Sequence, residues 1–495
     1  MKKRFNPWSF LSVFVVASLL LAACAPATTE APAEVVKEPE ATKPPEPTAT
    51  TAPKPTNTPE PPKPTDTADA MAACPGGPVS VAAHDWSSAD RQEYWDQVIA
   101  AFNEANACIK AESVKLPEDR AVRLSEIAAG QAPCLVAFDS SDLPRVYLMD
   151  ALMDLTPLMA ADSFDPSAEF YESVYNTGIV DNKPVAIAKD YSVSAFYVNT
   201  ELLEKAGLEV PTEGWTYEDY LRYSQLLTID ENGNNATSPD FDPSKVVQWG
   251  GSLPYWGGTT GWWRGFQSAL YSFGTHTISD DGKTTTGYIN SEKAVQTWEW
   301  FRDFIHKNNA APGATYMAAI AQGFSDLFSA KKLAIAGSYW GPWFQDTFNK
   351  AENLQWAVVP LPTGPGGHEA AIMWMGWGIN SNCKTPDQAW QLLKWLTTDP
   401  GQRVFALKAL TGDISVAAEL QQADDPYWSI FLAEVPYQGR LDDMTSPFYT
   451  TCVDIPASDV MGKIFQDEGA TLDIKTELDT LAANADKCLA ESVIE

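Results

Sequence analysis

From residue 78 onward the chain alternates short apolar runs with amphipathic stretches. "PVSVAAHDW" (78–86) reads as a buried strand running into a loop. Trp95, Val98, Ile99 and Phe102 then fall at i, i+3, i+4 and i+7, the spacing of one helix face. "IKAESVKL" alternates as a half-buried strand does, and "APCLVAFD" is a continuous apolar strand ending at Asp139. Strand, helix, strand, helix, strand predicts an α/β fold, a parallel sheet covered by helices. Ligands of such sheets bind beyond the carboxyl ends of the strands. Trp86, Asp139 and Ser140 lie just past two of those ends and are candidate ligand contacts.

Further on, two apolar strand-like pieces surround the polar Lys189–Asp190. Asn199 or Thr200 is placed to cap the next helix and Gly207 to close it. Thr216 and Asp219 have the spacing of a capping box. Near the end, Thr385 as cap, Pro386 at the first helical position and Gln388 open a helix. Its apolar face is Ala389, Leu392, Leu393 and Leu396, and Pro400-Gly401 stops it.

The N-terminus follows different rules. Lys2, Lys3 and Arg4 precede an apolar run from Phe10 to Ala23, short of the ~20 residues a membrane span needs. Small residues then lead to a cysteine, the layout of an export signal over 1–23. Leu21-Ala22-Ala23-Cys24 resembles the lipobox of bacterial lipoproteins, in which the cysteine is acylated. That resemblance implies lipidation at Cys24 and a membrane anchor. Residues 24–73 are rich in Pro, Thr and Glu and hold almost no aromatics. They predict a disordered, extended tether, because such a segment buries too little apolar area to offset its ordering entropy. The globular body begins near Cys74.

Composition narrows the function. Apolar residues make up 45% and aromatics 11%, enough for a well-packed core. The net charge of −31 argues against nucleic acid and against an anionic membrane surface as partners. Setting Cys24 apart leaves six of the 7 cysteines, an even set that suggests three disulfides in an exported chain; the count alone leaves fifteen connectivities open. No Cys-x-x-Cys pair occurs, and the 4 histidines are scattered, so no metal site is expected. His-Glu-x-x-His, Gly-x-Ser-x-Gly, Walker A and Gly-x-Gly-x-x-Gly are all missing, and no cofactor is implied. Asp230, Asn232 and Asn234 mimic the first ligands of a calcium loop, but the glycine is misplaced and the twelfth-position Glu is lacking, which favours a polar turn.

The chain has 18 tryptophans. Trp95, Trp298, Trp300, Trp390 and Trp395 sit at helical spacing and are expected in the core. Others lie in Gly-rich segments: Trp256, Trp262 and Trp263 in "PYWGGTTGWWRG", Trp340 and Trp343 in "GSYWGPW", Trp374 and Trp377 in "MWMGWG". A sugar needs an aromatic platform for its C–H face and in-plane donors and acceptors for its hydroxyls. Gly376 and Gly378 would let backbone approach a ligand closely. Arg440 is either a bidentate ligand contact or a surface ion pair.

The segment from Pro184 resembles the extracellular solute-binding proteins of the maltose-binding type, the receptors of ABC sugar importers. The shared pattern is Pro184, Lys189-Asp190, Phe196-Tyr197-Val198-Asn199, Ala206-Gly207-Leu208, Pro211 and Trp215-Thr216, with Val198 in place of the usual aromatic. "FSAKKLAIAGSYWGPW" and "MGWGINSNCKTPDQAWQLLKWLTTDPGQ" match two later segments in the same order, and the likeness covers about 78–495. It implies a two-lobed, type II periplasmic-binding-protein-like fold, each lobe a mostly parallel sheet flanked by helices. Lobe one would be 75–188 plus 340–396 and lobe two 191–338 plus 400–495, closing by hinge motion around the ligand. Asp190 and Tyr191 would then sit at a crossover and touch ligand. The implied function is a lipid-anchored, extracytoplasmic receptor, a monomer, delivering an oligosaccharide or glycoside to the permease of an ABC importer. An extracellular carbohydrate-active enzyme, with Asp139 and Asp190 as its carboxylates, or a receptor for a non-sugar solute are the alternatives. The family's strand order and the need to leave the hinge free further imply Cys74–Cys108, Cys134–Cys383 and Cys452–Cys488 as the disulfides.

Overall fold

The computed structural model describes residues 74, 77–85, 87, 91–117, 119–253, 263–320, 323–340, 344–407 and 409–492. They belong to the second of two compact units, 64–495. The expected signal over 1–23, Cys24 and the expected tether over 24–73 lie outside them.

One seven-stranded sheet organises the body. Its strands are β1 (Val79–His84), β2 (Ile109–Val114), β3 (Leu135–Asp139), β4 (Ile187–Asn199), β5 (Ile335–Trp340), β6 (Trp356–Val359) and β7 (Ile372–Ile379). The order is β6-β4-β7-β3-β1-β2, with β5 also pairing β4. β1 pairs in parallel with β2 and with β3, as the alternation of strand and helix predicts. β7 runs antiparallel to β3 and to β4. The two polar-split pieces of the sequence are one strand of 13 residues, β4. Its first half pairs with β7, and its second half pairs with both β5 and β6.

The helices include α1 (Gln92–Ala105), α2 (Arg120–Ala128), α3 (Thr200–Lys205), α4 (Tyr217–Leu227), α5 (Pro386–Thr397), α6 (Gly401–Phe405) and α7 (Ile474–Glu491). α1 buries Trp95, Val98, Ile99 and Phe102, the face its periodicity marks out. Asn199 caps α3, and Thr216 with Asp219 forms a complete capping box on α4. Gly207 closes the turn after α3 at φ +70°, a conformation open to glycine. Thr385 departs from expectation. α5 begins at Pro386, yet the Thr385 hydroxyl makes no cap; it lies 3.8 Å and 3.9 Å from the sulfurs of Cys134 and Cys383.

Successive residues of a strand face opposite sides, and two cores result. Val81, Ala83, Leu135, Ala137, Ile187, Trp377 and Ile379 pack against α1 and α5. Val136, Phe138, Ala188, Tyr191 and Val193 pack on the other face and continue into the larger core. The cysteines pair as Cys74–Cys108, Cys134–Cys383 and Cys452–Cys488. The first two clamp the amino ends of β1, β2 and β3. The opposite end, at Asp139, Asp190 and Met375, is free of cross-links. Among the described residues no helix is long and apolar enough to cross a membrane.

Candidate functional site

A small cavity opens at that free end, with about 30 Å³ of space reachable by water. α1 contributes Tyr94 and Trp95, with Arg91 just before it; β3 gives Ala137, β7 gives Met375, Gly376 and Trp377, and β4 gives Lys189 and Asp190. Ser87, Phe405 and Ala409 complete the wall.

The backbone explains why two consecutive β4 residues share one cavity. Met375 pairs with Asp190, but Gly376 pairs with Ala188, so Lys189 is the extra residue of a β-bulge. Bulges re-aim side chains that strict alternation would send to opposite faces. The bulge needs Gly376: a Cβ there would stand 2.3 Å from the Ile187 carbonyl oxygen and 2.9 Å from the Ala188 Cα. At Gly378 a Cβ would meet the Val185 oxygen at 2.7 Å. Both glycines therefore permit close approach of neighbouring backbone, and Gly376 also lines the cavity.

Lys189 Nζ lies 2.8 Å from Asp190 Oδ2, and the two side chains are only 12% and 5% exposed. The ammonium also sits 5.1 Å from the centre of the Phe405 ring. Phe405, Trp377 and Trp95 form a three-ring stack: Trp95 to Trp377 is 5.8 Å at 27°, Trp377 to Phe405 is 6.0 Å at 37°. The Trp377 indole N–H donates to the His84 carbonyl oxygen at 3.2 Å, and that of Trp95 to Ser113 Oγ at 2.7 Å. Trp95, expected as plain core, is thus core and cavity wall together.

Polar groups are ordered around this end of the sheet. Asp85, just after β1, accepts hydrogen bonds from Ser87 and Gln92 and pairs with Lys115 at 3.1 Å. Burial works to raise its pKa, but those bonds outweigh it and hold the carboxyl below its usual range. Burial drives the His84 imidazole down to about 4, although its Nδ1 lies 3.0 Å from the Ala137 oxygen. Burial, reinforced by Asp139, pushes the Asp142 carboxyl up to about 6 against the pull of Arg120 and Arg123. Arg120 Nε donates to Asp142 at 2.6 Å. Sequence reasoning passed over Arg120 and Asp142. The Asp139-Ser140-Ser141-Asp142 run past a strand's carboxyl end was the available signal.

The candidates from the sequence separate clearly. Asp190 and Trp377 line the cavity. Asp139 stands at the same strand end, its Oδ1 accepting from Ser141 N at 2.8 Å. Ser140 is fully buried, its N–H donating to the Trp374 carbonyl. Trp374 is fully buried against Phe138 and offers no face to a ligand. Tyr191 is buried on the other side of β4, edge-on to Tyr171 at 6.2 Å. Arg440 takes the ion-pair alternative: it pairs with Asp280 and with Asp442, and donates to the Ile278 oxygen. It borders a separate, wider groove with Tyr171, Thr177 and Met444. Trp86, Trp256, Trp262 and Trp343 lie outside the described residues, and of Trp340 only the main chain, paired with Ser194, is described. Asp230 organises a polar turn, its carboxylate accepting from the amides of Asn232, Asn234 and Asp242. No metal-binding cluster of His, Cys, Asp or Glu occurs among the described residues.

Known proteins agree with this architecture. The chain is 18% identical to an ABC substrate-binding protein of Listeria monocytogenes in complex with cycloalternan, covering 84% of this chain and 100% of that one at a TM-score of 0.69. Maltose-bound MalE3 of T. maritima gives 19% identity, 83% and 99% coverage and a TM-score of 0.64. UgpB of Mycobacterium tuberculosis, in complex with glycerophosphocholine, gives 15%, 84% and 100%, and 0.67. These likenesses establish the two-lobed fold. A binding protein of Brucella abortus is 23% identical over 321 residues, 62% of this chain and 69% of that protein. Residues 97–430 match the model of the bacterial extracellular solute-binding proteins, and the chain belongs to that family.

Proposed function

We propose that this protein is a lipid-anchored receptor that captures a neutral oligosaccharide or glycoside and passes it to an ABC importer. The observation that carries the reading is the cavity: a Lys189–Asp190 pair with spare hydrogen-bonding capacity, faced by the Trp95–Trp377–Phe405 stack. Aromatic rings suit the C–H faces of a sugar, and a fixed donor beside a fixed acceptor suits its hydroxyls. Listeria and T. maritima relatives of the same fold hold cycloalternan and maltose, which supports the same ligand class here.

The rest of the reading extends the sequence's resemblance to this family. Lobe one (75–188 plus 340–396) and lobe two (191–338 plus 400–495) close around the ligand, with β4 as a shared strand. Cys24 carries the acyl anchor, and residues 24–73 hold the lobes off the membrane. Binding without chemistry is the expected outcome of a simple experiment. Calorimetric titration of the mature protein against a panel of oligosaccharides should give saturable binding, and chromatography of the recovered sugars should find them uncut. Cleavage would make the protein an enzyme. Binding restricted to a phosphodiester such as glycerophosphocholine would move it to the non-sugar receptors.

A further inference from the structure

The space beside Lys189 and Asp190 is about 30 Å³, room for about two water molecules and not for a sugar ring. Trp95, Trp377 and Phe405 wall it, each less than a tenth exposed. A purely apolar cavity stays dry, whereas water enters where two or more polar groups await it. Here the polar groups are an ion pair. Lys189 Nζ and Asp190 Oδ2 lie 2.8 Å apart, on side chains only 12% and 5% exposed. These neighbours on one strand meet as charges without the alignment of a hydrogen bond, and the buried Asp190 Oδ2 makes none.

An ammonium has three donors and a carboxylate about four acceptor sites. Among the described residues, the Lys189 ammonium meets only Asp190 Oδ2 and the Phe405 ring, 5.1 Å away, and the Asp190 carboxylate meets only Lys189. A buried ion pair offsets its desolvation only when further hydrogen bonds satisfy the remaining protons and lone pairs. The packed rings around the pair supply none. One water does, donating to Asp190 and accepting from Lys189. A second continues the chain toward Ser87, Arg91 and Tyr94, the partly exposed polar residues of the wall.

We infer that this cavity is a hydration site: the Lys189–Asp190 pair holds about two ordered waters there as a resident part of the structure, and a sugar at the mouth meets the pair through them. Lys189 and Asp190 are then positioning residues, acting on the sugar through water. A water turns to donate or to accept, so the relay serves a sugar hydroxyl in either role. The relay rests on the receptor reading above; the hydration does not.

The test counts long-lived internal waters of the mature protein by oxygen-17 magnetic relaxation dispersion, with no sugar present. Two variants accompany the parent. Ala409→Val adds two methyl groups to the cavity wall, and Lys189→Met/Asp190→Leu removes the polar pair. The parent should hold about two more long-lived waters than either variant, and a high-resolution crystal structure of the parent should show them against Asp190. Circular dichroism spectra of both variants should match the parent's, which separates lost water from lost fold; if a variant misfolds, the parent's crystal structure decides. Equal counts in the folded proteins, or a dry cavity in the crystal, overturns the inference and leaves the receptor reading standing. The count is then repeated with the parent saturated by the tightest-binding oligosaccharide of the panel above. Retained waters support the relay, and waters displaced on saturation overturn it. If no oligosaccharide binds, the relay falls with the receptor reading, while the sugar-free count still decides the hydration.

Discussion

Cys134–Cys383 should be the costliest of the three disulfides to remove. It joins residues 249 apart in sequence, against 34 for Cys74–Cys108 and 36 for Cys452–Cys488. A cross-link stabilises chiefly by restricting the unfolded chain, and the restriction grows with the logarithm of the loop. The chain-entropy relation gives about 5.5 kcal/mol for the long loop and about 3.8 kcal/mol for each short one. The difference, about 1.7 kcal/mol, is close to a twentyfold change in the folding constant. The bridge also ties the start of β3 to the chain that follows β7. The assay is urea unfolding of the Cys134→Ala/Cys383→Ala protein beside the Cys74→Ala/Cys108→Ala protein, followed by circular dichroism and fitted with a common slope. Because the bridge lies at the end of the sheet away from the cavity, ligand affinity without denaturant should stay within about twofold, the scale of a few tenths of a kcal/mol. A long-loop variant no less stable than the short-loop variant would refute the entropic argument.

Three further outcomes are expected. Gly376→Ala should lose about 1–3 kcal/mol of stability and at least tenfold in ligand affinity, since its Cβ would strike the Ile187 oxygen and undo the bulge that turns Lys189 into the cavity; calorimetry and thermal unfolding measure both. The unfolded chain binds a proton at His84 near pH 6.5 and the fold only near 4, so stability present above 6.5 is lost as the pH falls. Between pH 7.5 and 4.5 the parent should lose about 2.5 kcal/mol more than His84→Gln in urea titrations, and parallel losses would count against the buried neutral imidazole. Mass spectrometry of the membrane fraction should find a lipid-modified N-terminus at Cys24, and Cys24→Ser should release the protein or leave the signal uncut; a soluble mature form starting elsewhere would oppose the anchor.

The sequence reveals those parts of the fold that rest on local pattern. The α1 face, the three parallel strands and the caps of α3 and α4 follow from spacing that neighbours in the chain enforce. Thr385 shows where local reasoning gives way: its hydroxyl turns to a disulfide whose other half lies 251 residues away. The cavity was legible only in part. Lys189–Asp190 stood out as charge within an apolar strand, and Trp377 as an aromatic between glycines. Phe405 carried no such mark, because only the packing of α6 against α1 brings its ring to the stack. Trp374 and Trp377 read alike in sequence, yet their positions in the pleat differ. One is sealed against Phe138 and the other faces the cavity.

β4 has a mechanical consequence. Its 13 residues at ~3.4 Å each make a beam of about 44 Å, with the Lys189–Asp190 pair near one end and Phe196 and Tyr197, locked among Trp215, Tyr220 and Phe348, at the other. A pull on the pair is therefore a load on a single covalent member anchored in the far aromatic cluster. The pair and the aromatic cluster thus sit on one continuous strand, so a displacement at either end is carried to the other by the backbone itself.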